Sequence, residues 1–146
     1  NRIDHMPDEI AELTELRWLD VASNGFAEFP KALAPMTWLE RLDISRESYS
    51  YYMDWKSIRD SLDGMVGLKH LELRNHKFDA LPEIIQGLPA LEILELGWGT
   101  LPSLPKWLCA MPALKQLEVQ WMTFKNEDEA NAVLADLEDK GVTVVR

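Results

Sequence analysis

This 146-residue chain has a single cysteine, no long apolar run and no excess of basic charge. Because Cys109 is the only cysteine, no internal disulfide can form, which favours a reducing, cytoplasmic location. No apolar run approaches the roughly 18 residues that a membrane-spanning helix needs. The sequence therefore predicts no membrane partner.

Basic residues are outnumbered, with 15 Lys and Arg against 25 Asp and Glu, and the formal net charge is -10. A surface this acidic repels phosphate backbones and anionic lipid headgroups. We therefore expect no nucleic-acid partner. A protein or peptide partner, if selected by charge, would be basic.

Features typical of enzymes are also scarce. The histidines His5, His70 and His76 have no cysteine or histidine partner at metal-ligand spacing, so neither a metal nor a cofactor is predicted. His70 beside Glu72 could suit a general base, but no nucleophile or oxyanion feature accompanies them. The sequence predicts that this segment is not an enzyme.

What the chain does contain is a repeat. Leu91, Leu94 and Leu96 follow the spacing L-x-x-L-x-L, and the stretch 101–108 follows L-x-x-L-P-x-x-L. The same frame recurs on both sides at one constant offset, earlier from Leu68 and again later at its leucine positions. Such self-similarity decides the architecture before any other feature.

This frame resembles the leucine-rich repeat family, and within it the 23-residue class with a Leu-Pro step in the outer segment. The resemblance covers residues 1 to about 124. It implies an α/β fold, a right-handed leucine-rich-repeat solenoid with parallel strands on the concave face and short helices or 3-10 turns on the convex face. It also implies a curved binding surface, without identifying the partner.

The frame divides the chain into two parts. Residues 1–125 hold a half repeat plus five repeats, with a six-residue insert near 48–53, and 126–146 form a C-terminal helix-strand cap. Asn126 with Glu129 three residues later predicts a capped helix start. Because the frame begins within a repeat, we expect the chain to be a fragment of a longer protein.

One position of each repeat usually carries an asparagine whose amide satisfies the loop backbone, as the resemblance implies. Only two of the six positions keep it, so the other loops must find hydrogen bonds elsewhere. The position is occupied by Asn1, Asn24, Glu47, His76, Gly99 and Met122.

Equivalent outward positions of stacked strands should form columns on one surface. The central column is acidic, and a flanking column alternates in sign. Two interpretations stay open: a charge mesh neutralised by its neighbours, or an acidic track for a basic peptide. The central column contains Asp20, Asp43, Glu72, Glu95 and Glu118, followed by Thr143 in the cap, and the flanking column contains Arg17, Glu40, Lys69, Glu92 and Lys115.

A further column, at the edge of the strand face, places Trp98 and Trp121 side by side after Ser23, Arg46 and Asn75. Outward tryptophans are informative because large apolar side chains are normally buried. They indicate either packing against the cap or a loop, or a binding hot spot.

Tyrosines in the insert should lie near this edge, and an aromatic and basic patch should lie in front of the acidic track. The insert could equally fold down to fill a gap between repeats. The predicted partner-binding residues are Trp18, Arg41, Asp43, Arg46, Tyr49, Tyr51, Tyr52, His70, Glu72, Arg74, Glu95, Trp98, Glu118 and Trp121.

The sequence thus predicts a recognition module for a protein or peptide inside a larger intracellular protein. Two alternatives remain: a structural or autoinhibitory surface that docks on the rest of its own chain, and the targeting domain of an effector enzyme. The oligomeric state is left open.

Overall fold

A six-stranded parallel sheet runs along the molecule in a computed structural model that describes residues 1–46 and 58–146, apart from the side chain of Asp60. Each strand is three residues long and pairs with the strand of the next repeat. The strands are β1 (Trp18–Asp20), β2 (Arg41–Asp43), β3 (His70–Glu72), β4 (Ile93–Glu95), β6 (Gln116–Glu118) and β8 (Thr143–Val145). The sheet order β1-β2-β3-β4-β6-β8 follows the chain, as a solenoid requires.

Strand formation follows from the alternating pattern, because neighbouring residues of a strand point to opposite faces. The central leucine of each repeat points inward and stacks on its neighbour, as in the pairs Leu42 with Leu71 and Leu94 with Leu117. All four of these leucines are fully buried. The flanking residues point outward and form the concave face.

The opposite, convex side is built from short helical segments. Outside residues 47–57, four 3-10 helices each follow a proline, which lacks an N–H and has a fixed φ suited to a helix start. No helix within the described ranges is long and apolar enough to cross a membrane. The convex segments are Asp8–Glu12, Lys31–Leu33, Glu83–Gly87, Lys106–Ala110 and helix α1 (Ile58–Leu62).

The core lies between these two sides and runs the length of the solenoid. Met36, Leu88 and Met111 close successive repeats and are buried, whereas Leu13 at the equivalent place is 51% exposed. Leu13 closes the half repeat at the start of the sheet, next to β1. A small second sheet pairs β5 (Thr100–Leu101) with β7 (Thr123–Phe124).

Helix α2 (Glu127–Asp139) and strand β8 follow the last repeat, and β8 adds to the sheet beside β6. Asn126 caps α2 by accepting a hydrogen bond from the Glu129 N–H at 3.2 Å. The inward face of α2 buries Val133 and Leu137 against the last repeat. The helix ends before Gly141, whose φ of 83° suits a glycine.

One register prediction for the cap was wrong. Val145, not Thr143, lies beside Glu118 and continues the central column, while Thr143 pairs with Gln116. A slip of two residues preserves the alternation of inward and outward side chains. The apolar pattern around Val144 therefore fits both registers, and only the structure distinguishes them.

Candidate functional site

The central acidic column exists, because the strand register aligns its members in one row. Asp20 lies beside Asp43, Asp43 beside Glu72, Glu72 beside Glu95 and Glu95 beside Glu118. Its middle is not open to solvent: Glu72 is 2% exposed and Glu95 is 5% exposed. Buried carboxylates need compensating cations, and the concave face supplies them.

Arg74 joins three strands through one guanidinium. Its Nη1 lies 3.0 Å from Glu72 Oε2, its Nε lies 3.2 Å from Glu118 Oε1, and its Nη2 pairs with Glu95 Oε2. Charge-assisted hydrogen bonds of this kind are the stronger ones in proteins. One arginine therefore holds three acids that would otherwise repel one another.

Arg41 forms the second such contact. Its Nε and Nη2 donate to Glu72 Oε1 at 2.9 and 2.6 Å, and its guanidinium lies 4.6 Å from the centre of the Trp18 ring. Trp18 is 58% exposed. Arg41 thus combines a cation-π contact with a carboxylate contact on the concave face.

His70 completes the cluster between two acids. Its Nε2 lies 2.6 Å from Glu95 Oε1 and 3.5 Å from Glu72 Oε1. Burial, together with Arg41 and Arg74, lowers the pKa of His70, so the neutral ring donates its Nε2–H to Glu95. Burial raises the pKa of Glu72, against the hydrogen bonds from Arg41.

His70, Glu72 and Glu95 offer ligand atoms within 4.8 Å of one another, which makes them the candidate metal ligands among the described residues. Arg41 already occupies Glu72 Oε1, and Arg74 contacts both carboxylates. A divalent cation would have to displace or face these two positive charges. The cluster is therefore better described as an ion-pair network than as a metal centre.

The flanking column also forms pairs. Lys69 Nζ lies 2.9 Å from Glu40 Oε2, and Lys115 Nζ lies 2.9 Å from Glu92 Oε1. The hydrogen bond from Lys69 lowers the pKa of Glu40. These exposed pairs and the buried cluster match the charge-mesh interpretation in the middle of the face.

Asp43 and Glu118, which lie on either side of Glu72 and Glu95 in the column, are less buried than those two acids. Asp43 accepts the Ser45 N–H through Oδ1 at 2.8 Å, and the chain outside 47–57 provides no ion pair for it. The Glu118 side chain is 14% exposed, against 3% for Glu72. The negative charge of the column is therefore more accessible to solvent at Asp43 and Glu118 than at Glu72 and Glu95.

The edge column has a backbone feature that the sequence did not reveal. Four of its residues have a left-handed φ: Ser23 at 56°, Asn75 at 62°, Trp98 at 64° and Trp121 at 61°. At Ser23, Asn75 and Trp98 the backbone N–H donates to the next repeat, as in the 2.9 Å bond from Trp98 N–H to Gln120 O. A bulky residue is a rare outlier in this conformation, which Asn or Gly adopts more readily.

Trp98 and Trp121 are 52% and 65% exposed, and their ring centres lie 5.5 Å apart with the planes tilted by 33°. They contact each other as predicted and stay open to solvent. At least half of each of the two side chains is therefore exposed at the edge of the concave face.

Gly97 makes the close approach before Trp98 possible. A Cβ at Gly97 would lie 2.9 Å from Gln120 O and 3.3 Å from Glu118 Oε1. The glycine lets two repeats pack backbone to backbone. It also shows that the Glu118 carboxylate lies against the backbone that leads into Trp98.

Asn24 and His76 form hydrogen bonds with backbone groups of the loops in different ways. Asn24 donates to Val21 O at 3.0 Å and accepts from Ile3 N–H at 3.1 Å. At the equivalent position, His76 Nε2 lies 2.8 Å from Ile44 O, and burial lowers the pKa of His76 to about 4. The neutral imidazole therefore donates the hydrogen bond that an asparagine amide would supply.

The structure brings most of the predicted site residues together on one face. Arg46 is different, since it donates to Phe26 O at 2.5 Å and is partly buried. The predicted contacts of Tyr49, Tyr51 and Tyr52 fall outside the described residues. One cluster contains Trp18, Arg41, Asp43, His70, Glu72, Arg74, Glu95 and Glu118, and the edge carries Trp98 and Trp121.

The central role of Arg74 was missed at the sequence level. Its position two residues after Glu72 was the available signal, because alternate residues of an extended chain share a face. The three-way contact could not be foreseen, since it depends on side-chain conformation.

Solved structures with the same fold confirm the solenoid. The whole chain matches a leucine-rich-repeat protein of Leptospira interrogans with a TM-score of 0.77 and 25% identity, over 35% of that protein. For 81% of the chain, the match to the Toll-Spätzle complex of Drosophila has a TM-score of 0.65 and 17% identity, over 16% of that chain. PEPR1 in complex with AtPEP1 matches 82% of the chain with a TM-score of 0.54 and 25% identity, over 17% of its length.

The chain is thus an α/β leucine-rich-repeat solenoid. It spans about a third of the length of the Leptospira protein and less than a fifth of the other two. No protein-family model and no curated protein matches it significantly.

Proposed function

We propose that this chain is a recognition module that binds a protein or peptide through its concave face. The observation that carries the proposal is the edge pair Trp98 and Trp121, two exposed indoles on left-handed backbone in adjacent repeats. Left-handed backbone costs a residue with a side chain about 1–2 kcal/mol. Two such residues that also expose apolar rings are better explained by binding than by folding.

Tryptophan is among the residues that contribute most to interface energies. The edge pair and Trp18 place three large exposed aromatic side chains on the same strand face. The ion-pair network between them holds the face rigid, which reduces the entropy lost on binding. Binding rather than catalysis is therefore the role that we assign to this face.

The partner's charge follows from the less buried members of the acidic column. Glu72 and Glu95 are almost fully buried and bound by arginines, whereas Asp43 and Glu118 are more exposed, so we expect these two carboxylates to select basic groups. The net charge of -10 adds long-range attraction for a basic partner. The solved complex of PEPR1 with AtPEP1 supports a protein or peptide partner.

The 23-residue class with a Leu-Pro outer segment is part of this proposal. Register pairs Leu71 with Leu94 and Leu94 with Leu117, an offset that matches the repeat length of this class. Leu81-Pro82 and Leu104-Pro105 lead into the convex 3-10 helices. A cytoplasmic location stays a prediction, supported by the single cysteine.

A direct test uses peptides selected from a displayed random library on the immobilised chain. Isothermal titration of the selected peptides would compare the wild type with the double variant Trp98→Ala, Trp121→Ala. We expect at least a tenfold loss of affinity, about 1.4 kcal/mol or more. Val66→Ala, which removes another exposed apolar side chain outside the strands, should leave affinity unchanged.

Unchanged affinity in the double tryptophan variant would reject this site. The autoinhibitory alternative makes a different prediction for any longer protein that contains this chain. There, limited proteolysis would find the concave face protected in the absence of a partner.

A further inference from the structure

We propose that the edge pair binds an arginine side chain of the partner, with the guanidinium stacked on Trp121 and hydrogen-bonded to Glu118. This inference rests on the proposed function, since the same face is used, and it adds the chemistry of one contact.

The concave face already contains one arginine bound in this way. Arg41 lies 4.6 Å from the centre of the exposed Trp18 ring and donates to Glu72 Oε1. Trp18 belongs to β1 and Glu72 to β3, so a single guanidinium reaches a ring and a carboxylate two strands apart. The other end of the face offers the same two kinds of group, an exposed indole and a column carboxylate.

Glu118 has capacity for another donor. Arg74 approaches it at 3.2 and 3.5 Å, whereas Arg41 approaches Glu72 at 2.6 Å. A carboxylate has about four lone-pair sites. Glu118 is also the most exposed of the three acids that Arg74 contacts, with 14% against 3% for Glu72 and 7% for Glu95.

The balance of charge favours a cation. Within the parts of the chain that are described, the five column carboxylates are accompanied by Arg41, Arg74 and a neutral His70, and the flanking column adds three cations and two acids, so acids still outnumber cations. The face therefore keeps negative charge. A guanidinium is also less strongly hydrated than an ammonium, so it loses less on leaving water.

The position of Glu118 links it to the indoles. Its Oε1 lies beside Gly97, the residue before Trp98, and the Trp98 ring contacts that of Trp121. Trp121 is the more exposed of the pair, and tryptophan gives the best cation-π surface. A planar guanidinium can stack on this ring and still donate at its edge, which a lysine ammonium cannot do.

The test follows the tryptophan indole N–H signals of the full chain by NMR during peptide titration. The probes are four acetylated and amidated tripeptides, Gly-Xaa-Gly, in which Xaa is arginine, citrulline, lysine or leucine. Citrulline keeps the shape of arginine without its charge. We expect the arginine peptide to shift the Trp121 signal and to bind about tenfold more tightly than the citrulline peptide, with lysine between them.

Variants then separate the two contacts. Trp121→Ala should lower arginine affinity about tenfold, and Glu118→Gln should lower it about three- to tenfold. Glu83→Gln removes one acid from the convex side and should leave affinity unchanged. The spectrum of each variant reports whether it is folded.

Equal binding of the arginine, citrulline and leucine peptides would overturn the inference, as would unchanged affinity in Glu118→Gln. Library peptides that lack arginine but need both tryptophans would also overturn it, while leaving the proposed function intact. Library peptides insensitive to the loss of both tryptophans would overturn both.

Discussion

Arg74 and Glu118 lie 44 positions apart in the sequence, and the guanidinium Nε of the first is 3.2 Å from the carboxylate Oε1 of the second. The contact spans β3, β4 and β6, because Arg74 also binds Glu72 and Glu95. In the central column, strand pairing alone places each acid beside another acid, without a positive charge between them. This single side chain therefore links three acids of the column, while Arg41 and His70 add contacts to two of them.

Replacing Arg74 by alanine should destabilise the fold. It leaves buried Glu72 and Glu95 with fewer counter-charges, and breaking a buried ion pair typically costs about 3–5 kcal/mol. Because the Arg74 side chain is 33% exposed, we expect a smaller loss, about 2–3 kcal/mol, in urea unfolding.

Lys115→Ala is the matched control, since it breaks an ion pair whose members are 68% and 37% exposed. Its expected cost is about 0–1 kcal/mol. Adding Glu95→Gln to Arg74→Ala should recover part of the stability. Equal losses of unfolding free energy in Arg74→Ala and Lys115→Ala would show that the contact across three strands stabilises the fold no more than an exposed ion pair does.

A second prediction concerns acid stability and His76. The pKa of His76 is lowered to about 4 by burial, from an ordinary value of about 6.5. The folded state favours the neutral form of His76. The free energy of unfolding therefore has its full value above pH ~6.5, and it decreases as the pH falls towards ~4, because the unfolded chain takes up the proton first. The loss is about 3 kcal/mol over that window.

His76→Asn keeps a donor for Ile44 O and removes the titrating ring. Between pH ~6.5 and ~4 its stability should fall less steeply than that of the wild type. Carboxylates that titrate in the same range affect both proteins and cancel in the difference. If stability fell equally with pH in the wild type and in His76→Asn, the lowered pKa of His76 would be contradicted. NMR titration of the imidazole would measure that pKa directly.

Much of this fold could be predicted from the sequence, because each repeat restates the same local pattern. The leucines that recur at a constant offset fix the strands and their register, as for Leu94 and Leu117. The cap register was wrong for Thr143, since apolar alternation cannot distinguish slips of two residues. Local patterns therefore identify the faces of a strand better than its pairing.

The site was less predictable, because its chemistry depends on side-chain conformation and burial. Glu72 and Glu95 were expected to select basic groups of a partner, yet both are buried and bound by arginines. The left-handed backbone of Trp98 left no local signal, since Gly or Asn would be the usual choice. That conflict between residue and backbone is what supports a binding role.

A third prediction tests this conflict at Trp121. Alanine and asparagine both remove the indole, but asparagine tolerates a φ of 61° better. We expect Trp121→Asn to be about 0.5–1 kcal/mol more stable than Trp121→Ala, while both lose affinity for selected peptides. Trp107 lies in a 3-10 helix and has no left-handed φ, so there the alanine variant should be more stable than the asparagine variant. Equal stability of the two Trp121 variants in thermal unfolding would argue against backbone strain at this edge.

The last prediction concerns the close approach of two repeats at Gly97. A Cβ there would lie 2.9 Å from Gln120 O, a backbone atom that cannot move away without disturbing the next repeat. We expect Gly97→Ala to cost about 1–3 kcal/mol, the usual range for overpacking.

Gly87→Ala is the control, because its Cβ would meet nothing within 4 Å and its φ is not left-handed. That change should be neutral or slightly stabilising, since alanine restricts the unfolded chain. Because the Cβ added at Gly97 would also lie 3.3 Å from Glu118 Oε1 and crowd that carboxylate, the Gly97→Ala substitution should weaken arginine binding as well as stability. A Gly97→Ala protein with wild-type stability and affinity would show that the two repeats are not held at the distance described.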